Sequence, residues 1–270
     1  MTHNLGTFFS KEDKGYFVWF KIYYTDTPES QTDIVNLFAS EDMDIRYGYL
    51  DNTEYKDKGK YVLFARVKTD TDINEFLGKL KNLEVVLNIE HHVLQDSTLH
   101  SLDYPLQLLG ERAIIARATT FVDIVRIIKE NVSDSSGLLM VSGLNGGIHA
   151  ARYIKTKINI DKNNLADILK ELVTAAGWGL LDMDLDFDTL NGKIYFMNCF
   201  IAESYGESER PVCEYISGFF SGFITESLGE PVHVREIRCK SMMSTDLCEH
   251  MISKAPQGIK PEHILRGELP

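Results

Sequence analysis

The chain has 270 residues, 44% of them hydrophobic and 25% charged, which fits a folded globular protein of one or two domains and excludes disordered and fibrous classes. Its net charge of −12 argues against a broad nucleic-acid surface, because phosphate binding needs clustered Lys and Arg. The only basic groupings are Arg235/Arg238/Lys240 and Lys155/Lys157, which read as solvated faces.

In chain order, Met1 to Gly6 lacks the basic-then-apolar pattern of a secretory leader, and no apolar run reaches membrane-spanning length. The expectation is a cytoplasmic protein with no membrane span and no direct nucleic-acid contact. Tyr16 to Tyr24, rich in aromatic and β-branched residues, predicts a strand. Thr25 to Ser30 reads as a turn into a helix with Pro28 in its first turn, and Ile34, Leu37 and Phe38 recur at helical spacing. Asp44 to Asp51 predicts a second strand with Ile45, Tyr47 and Tyr49 on one face; Asn52 to Lys60 closes a hairpin onto a third strand, Lys60 to Lys68. A short helix over Asp72 to Leu80 and a fourth strand over Leu83 to Val93 complete a β-α-β-β-α-β order, the ferredoxin-like plan. This topology resembles an ACT-type regulatory domain, which implies pairing of such modules into a homodimer. No diagnostic motif supports amino-acid binding, and a dimerising module without ligand fits equally well.

The polar stretch 95–101 reads as a linker and puts the domain boundary between 96 and 97. Beyond it, Leu106 to Ala116 predicts a strand or strand pair, Thr120 to Glu130 a helix, Leu138 to Val141 a strand, and Gly143-Leu-Asn-Gly-Gly the start of another helix. That glycine group lacks the Gly-Lys-Ser/Thr of a phosphate loop, and close helix packing is the better reading for it and for Gly218 and Gly222. Leu165 to Ala176 predicts a helix, and Trp178 to Asp188 with Lys193 to Phe200 a hairpin turning at Asn191-Gly192. Asp182, Asp184, Asp186 and Asp188 alternate with apolar residues, as expected of a half-exposed strand with its carboxylates in water. The second unit is therefore α+β, with helices packed on an antiparallel sheet. The tail from Ala255 reads as peripheral.

The last quarter holds Cys213, Glu236, Cys239 and Cys248, three of the four cysteines around one glutamate. A helix from Glu214 to about Leu228, ended by Gly229, and a strand over Val232 to Ile237 place these residues at a helix start, a strand end and a returning segment. Three thiolates and a carboxylate suit a closed tetrahedral Zn²⁺ site. Buried free cysteines, or a Cys239–Cys248 disulfide, are the competing readings of the same residues.

The segments Arg210-Pro-Val-Cys213 with Gly218 and Gly222, Glu236-Ile-Arg-Cys239, and Asp246-Leu-Cys248 resemble the C-terminal signature of the 4-vinyl reductase domain, with weaker likeness upstream to about Leu106. The loop before Cys248 departs from the family pattern in lacking glycine. The resemblance implies a 4-vinyl reductase-type domain over 97–270 after an ACT-like domain over 1–96. It also implies structural zinc on Cys213, Glu236, Cys239 and Cys248, and a small hydrophobic or aromatic ligand in an apolar pocket with Trp178, His149 and Tyr195 as polar contacts. The inward apolar set is expected to include Trp178, Leu180, Tyr195, Phe196, Phe200, Tyr215, Phe219, Phe220 and Phe223. His-x3-His spacing, a Gly-x-Ser-x-Gly elbow and a nucleotide fingerprint are all missing from the sequence, so the expectation is a non-enzymatic sensor. Two further readings come with the resemblance: a dimeric scaffold similar to trafficking-complex subunits, and an accessory of tetrapyrrole vinyl reduction.

Overall fold

The computed structural model describes residues 6–9, 15–94, 98–101, 106–242 and 245–255. Residues 1–5, where the sequence lacks a leader pattern, and the tail after 255 lie outside them, as do 95–97 of the expected linker. The chain divides into two units, 1–106 and 107–270.

The first unit contains β1 (Gly6–Phe9), β2 (Tyr16–Thr25), α1 (Pro28–Ser40), β3 (Asp44–Tyr55), β4 (Lys58–Val67), α2 (Ile73–Lys81), β5 (Val86–Leu94) and β6 (Thr98–Ser101). The antiparallel sheet runs β3-β4-β2-β5, the ferredoxin-like order that the element sequence implies. The Thr27 hydroxyl caps α1 by accepting from the Ser30 N–H at 3.3 Å, and Asp72 caps α2 by accepting from the Asn74 N–H at 2.9 Å. Phe20, Phe38 and Phe76 meet edge-to-face between sheet and helices, with centroids 4.9–5.9 Å apart. Three expectations need correction. Strand pairing extends to a turn at Lys56-Asp57, so the polar stretch 52–60 is mostly strand. A bulge between Ile45 and Tyr47 changes the side-chain parity, so Ile45 packs into the helix-side core while Tyr47 packs on the opposite face with Phe17, Phe64 and Leu94. And the segment expected to link the units includes β6, which pairs with β1, so the first unit runs past 96.

The second unit contains β7 (Gln107–Leu108), β8 (Glu111–Arg112), α3 (Ala118–Asn131), α4 (Ser135–Lys155), α5 (Leu165–Ala175), β9 (Leu180–Asp186), β10 (Asn191–Met197), α6 (Phe200–Tyr205), α7 (Glu214–Leu228), β11 (Val232–Arg238) and β12 (Leu247–Lys254). Its antiparallel sheet runs β11-β12-β10-β9. The predicted strand at Leu138–Val141 is instead part of α4. Four apolar residues carry no decisive period, and Asp134 accepts from the Gly137 N–H at 3.2 Å and starts the helix ahead of them. Once helical, Leu139, Gly143, Leu144, Gly147, Ile148 and Ala151 share a buried stripe. The β9–β10 turn also differs. Asn191 and Gly192 lie within β10; Leu190 takes φ +55 and the Asp186 carboxylate accepts from the Asp188 N–H at 2.9 Å. Gly192 is needed for close approach to the Asp184 backbone instead. No sequence signal marks α6, whose first residue reads as a strand end.

α4 and α7 cross backbone against backbone. A Cβ on Gly143 or Gly147 would overlap the carbonyls of Tyr215 or Phe219, and one on Gly218 or Gly222 those of Met140 or Leu144. The two Gly-x3-Gly pairs thus interlock. The opposite side of α7 packs Phe220 against Phe196 of β10, centroids 5.5 Å apart. Helix α7 is therefore held between the sheet and α4.

Candidate metal centre and ligand cavity

Cys213 occupies the N-cap position of α7. Glu236 follows Val232 and Val234 on the core-facing side of β11, which is why a carboxylate is only 8% exposed. A bulge between Glu236 and Arg238 ends the regular ladder just before Cys239. Cys248 lies on β12, opposite Phe196. The donor atoms of Cys213, Glu236, Cys239 and Cys248 all lie within 4.8 Å of one another, and all four residues are buried. All four expected ligands converge. The Sγ of Cys213 is 4.0 Å from that of Cys239 and 3.9 Å from that of Cys248.

The local hydrogen bonds suit an anionic cluster. Glu236 Oε2 accepts from the Cys213 N–H at 3.1 Å, and the Lys240 N–H donates to Cys248 Sγ at 3.5 Å. Glu236 Oε1 is buried with no hydrogen-bond partner. Burial, then the neighbouring Cys239, push the Glu236 carboxyl up to about 8. A divalent cation at the common point would give Oε1 its missing partner and neutralise the charge that burial penalises, so the donor set fits a metal ion. Sequence reasoning missed one thiol. Cys199, at the β10–α6 corner, places its Sγ 3.6 Å from that of Cys213. It lies 14 residues upstream of Cys213 with no motif spacing to mark it. The Cys213 thiol, then that of Cys248, hold the Cys199 thiol well below its ordinary value, with the Ala202 and Ile201 N–H groups adding.

A separate cavity of 260 Å³ opens between α4, α5 and α7, lined by His149, Tyr153, Leu172, Trp178, Tyr215 and Phe219 among others. Trp178 is the hub of its aromatic wall, 4.7 Å from Phe219, 5.9 Å from Tyr215 and 6.0 Å from Phe200 between centroids. Burial raises the Tyr215 hydroxyl above its ordinary value. Two of the three expected contacts, Trp178 and His149, line this cavity. Tyr195 does not. Alternation along β10 turns Ile194 and Phe196 into the core and Tyr195 outward, between Asp182 and Glu249. Leu180, 43% exposed, also leaves the expected inward set. Asp182, Asp184, Asp186 and Asp188 are exposed, as a solvated strand edge requires.

The family model of the 4-vinyl reductase domain matches residues 194–254, the stretch from β10 to β12 that carries every donor of the cluster. The second unit thus carries a domain of the 4-vinyl reductase type. Among solved structures, the chain is similar to the phenol-responsive sensory domain of the transcription activator PoxR with phenol, at 18% identity over 60% of this chain and 86% of that one, TM-score 0.49. It is similar to a vinyl-4-reductase family protein from Methanocaldococcus jannaschii, at 17% identity over 55% and 87%, TM-score 0.38. The ACT domain from GTP pyrophosphokinase of Chlorobium tepidum is similar at 18% identity over 29% and 99%, TM-score 0.26. No curated protein matches the chain. None of the described helices is long and apolar enough to cross a membrane.

Proposed function

We propose that this chain is a cytoplasmic, non-catalytic regulatory protein that binds a small hydrophobic or aromatic molecule in the second unit, beside a structural zinc centre, and acts as a homodimer through its ACT-like first unit. The observation that carries the ligand reading is the 260 Å³ cavity, which Trp178, Tyr215 and Phe219 line together with His149 and Tyr153. An apolar space with a few polar contacts is the usual form of a small-molecule site, and a cavity of about 150 Å³ already admits a benzene ring. A single aromatic ring with one hydrogen-bonding substituent suits the lining best.

Zinc on Cys213, Glu236, Cys239 and Cys248 supplies a structural cross-link, since four protein donors leave no open position for a substrate water. The residues then couple the two sites. Cys213 caps α7 at the cluster, while Tyr215 and Phe219, within the next two turns, line the cavity. Ligand that displaces Tyr215 or Phe219 acts on a helix whose N-terminus the cluster holds, and the response is a population shift of that helix. Titration with phenol, followed by Trp178 fluorescence in a Trp19→Phe background, tests the reading. A saturable change that Trp178→Leu abolishes in calorimetry is expected. No binding of phenol or of larger single-ring aromatics would refute it.

A further inference from the structure

Cys199 stands beside the four-donor cluster of Cys213, Glu236, Cys239 and Cys248, with its sulfur next to that of Cys213. A tetrahedral centre with metal–sulfur bonds of about 2.3 Å separates its sulfurs by about 3.8 Å. Cys213 Sγ stands 3.6, 3.9 and 4.0 Å from the sulfurs of Cys199, Cys248 and Cys239. All three separations are close to that value, so Cys199 lies at ligand spacing from Cys213. Cys199 is 1% exposed and packs in the same core cluster as Cys213 and Cys248. A thiol so placed is within reach of an ion that its neighbours hold.

Glu236 is the donor of the cluster that borders a cleft. It lines an open cleft of 840 Å³ together with Ser217, His233 and Arg235, whereas Cys199 does not reach that cleft. One carboxylate oxygen is fixed by the Cys213 N–H and the other has no partner. A further donor, Cys199, thus stands next to a four-donor cluster whose carboxylate residue borders the cleft.

We propose that Cys199 is an alternative fourth ligand, which exchanges with Glu236 so that a soft divalent cation is held by four thiolates. The inference rests on the reading of the cluster as a metal centre. In the exchange the Glu236 oxygen–metal bond breaks, the Cys199 sulfur–metal bond forms, and one proton passes from the thiol to the carboxylate, so the charge of the cluster is unchanged. Thiolates favour soft cations and carboxylates hard ones, which makes the choice of fourth ligand depend on the ion.

The test uses the full-length protein with Cd²⁺ and Co²⁺ as probes, in the wild type, Glu236→Gln, Cys199→Ser and the double variant. Thiolate-to-metal charge-transfer intensity counts the sulfurs bound. Glu236→Gln is expected to bind one Cd²⁺ with four thiolates and Cys199→Ser with three, intensities in a ratio of about four to three. The double variant should bind at least about tenfold more weakly than Glu236→Gln, on the scale that even outer-shell changes register. Equal affinity of the double variant and Glu236→Gln, or three thiolates in Glu236→Gln, overturns the proposal. Should Cys199→Ser fail to fold, the thiolate count in Glu236→Gln decides alone. Wild-type protein that binds neither ion through thiolates removes the metal centre itself, whereas a three-thiolate centre in every protein removes only the role of Cys199.

Discussion

The interlocked glycines of α4 and α7 make a matched pair of substitutions with opposite expected signs. At Gly147 a methyl group would overlap the Phe219 carbonyl and come 2.6 Å from the Phe223 nitrogen, both of them backbone atoms that cannot rotate away. One residue earlier, at Gly146, the nearest atom is the Phe219 ring Cδ2 at 3.5 Å, an ordinary van der Waals contact. Both replacements gain the helix propensity of alanine over glycine, about 1 kcal/mol. Overpacking costs about 1–3 kcal/mol, and an obstacle made of backbone lies at the upper end because the helices must separate. Gly147→Ala is therefore expected to lose about 2 kcal/mol and Gly146→Ala to gain up to about 1 kcal/mol. The gap of about 3 kcal/mol corresponds to roughly 5–10 °C in melting temperature for a unit of this size. Unfolding followed by Trp178 fluorescence in a Trp19→Phe background isolates the second unit. Equal midpoints for the two variants, or a more stable Gly147→Ala, would refute the close crossing.

Three other outcomes follow from the site. Chelation or Cys239→Ala should lower zinc content and melting temperature together, by on the order of 10 °C, since loss of a structural metal belongs to the class of changes above about 4 kcal/mol; a variant with unchanged zinc by mass spectrometry counts against the ligand set. Tyr195→Phe should leave aromatic-ligand affinity unaltered, while His149→Ala weakens it by about tenfold through loss of a polar contact at the cavity; calorimetry that reversed this order would put the ligand elsewhere. Lys129 donates to Glu214 Oε1 at 2.6 Å and to the Pro211 carbonyl at 3.1 Å, tying α3 to the segment that leads into Cys213. Lys129→Met should cost about 1–2 kcal/mol in urea unfolding of the second unit, and an unchanged midpoint would show that the pair does not hold that segment.

What could be read from the sequence was local, and what could not was a matter of register and of contacts made across the fold. The helices with caps and clear apolar periods, such as α2 with Asp72 and α7 with Gly229, lie where the pattern places them. Leu138 to Val141 is too short a run to reveal its period, and its helical state follows from packing against α7. Tyr47 fails for another reason: a single bulged residue reverses which face its side chain takes, and no residue type announces that bulge. Tyr195 is the counterpart, an amphipathic ring whose strand parity puts it outward. The cluster residues were legible because they punctuate element ends, at the cap of α7 and the end of β11. Cys199 also stands at an element end, the N-cap position of α6, but no sequence signal marks that helix, and its approach to Cys213 exists only once the β10–α6 corner is folded.

The position of α7 bears on how the proposed metal centre and ligand site would be coupled. On one side the helix meets α4 with no side chains between the backbones, and on another it presses Phe220 against the sheet. Such a contact is stiff, because close-packed backbone leaves little room for adjustment. At its first turn Cys213 enters the cluster and Glu214 lines the open cleft. A ligand that displaces Tyr215 acts on that same turn. On the proposed function, binding in the cavity and ligation at the cluster would bias a shared element, and linkage then requires each to alter the affinity of the other by the same factor. Phenol affinity measured with and without zinc should differ by the same factor as zinc affinity measured with and without phenol. A factor of one in both would mean that α7 is a rigid post and that the cluster supports the fold alone.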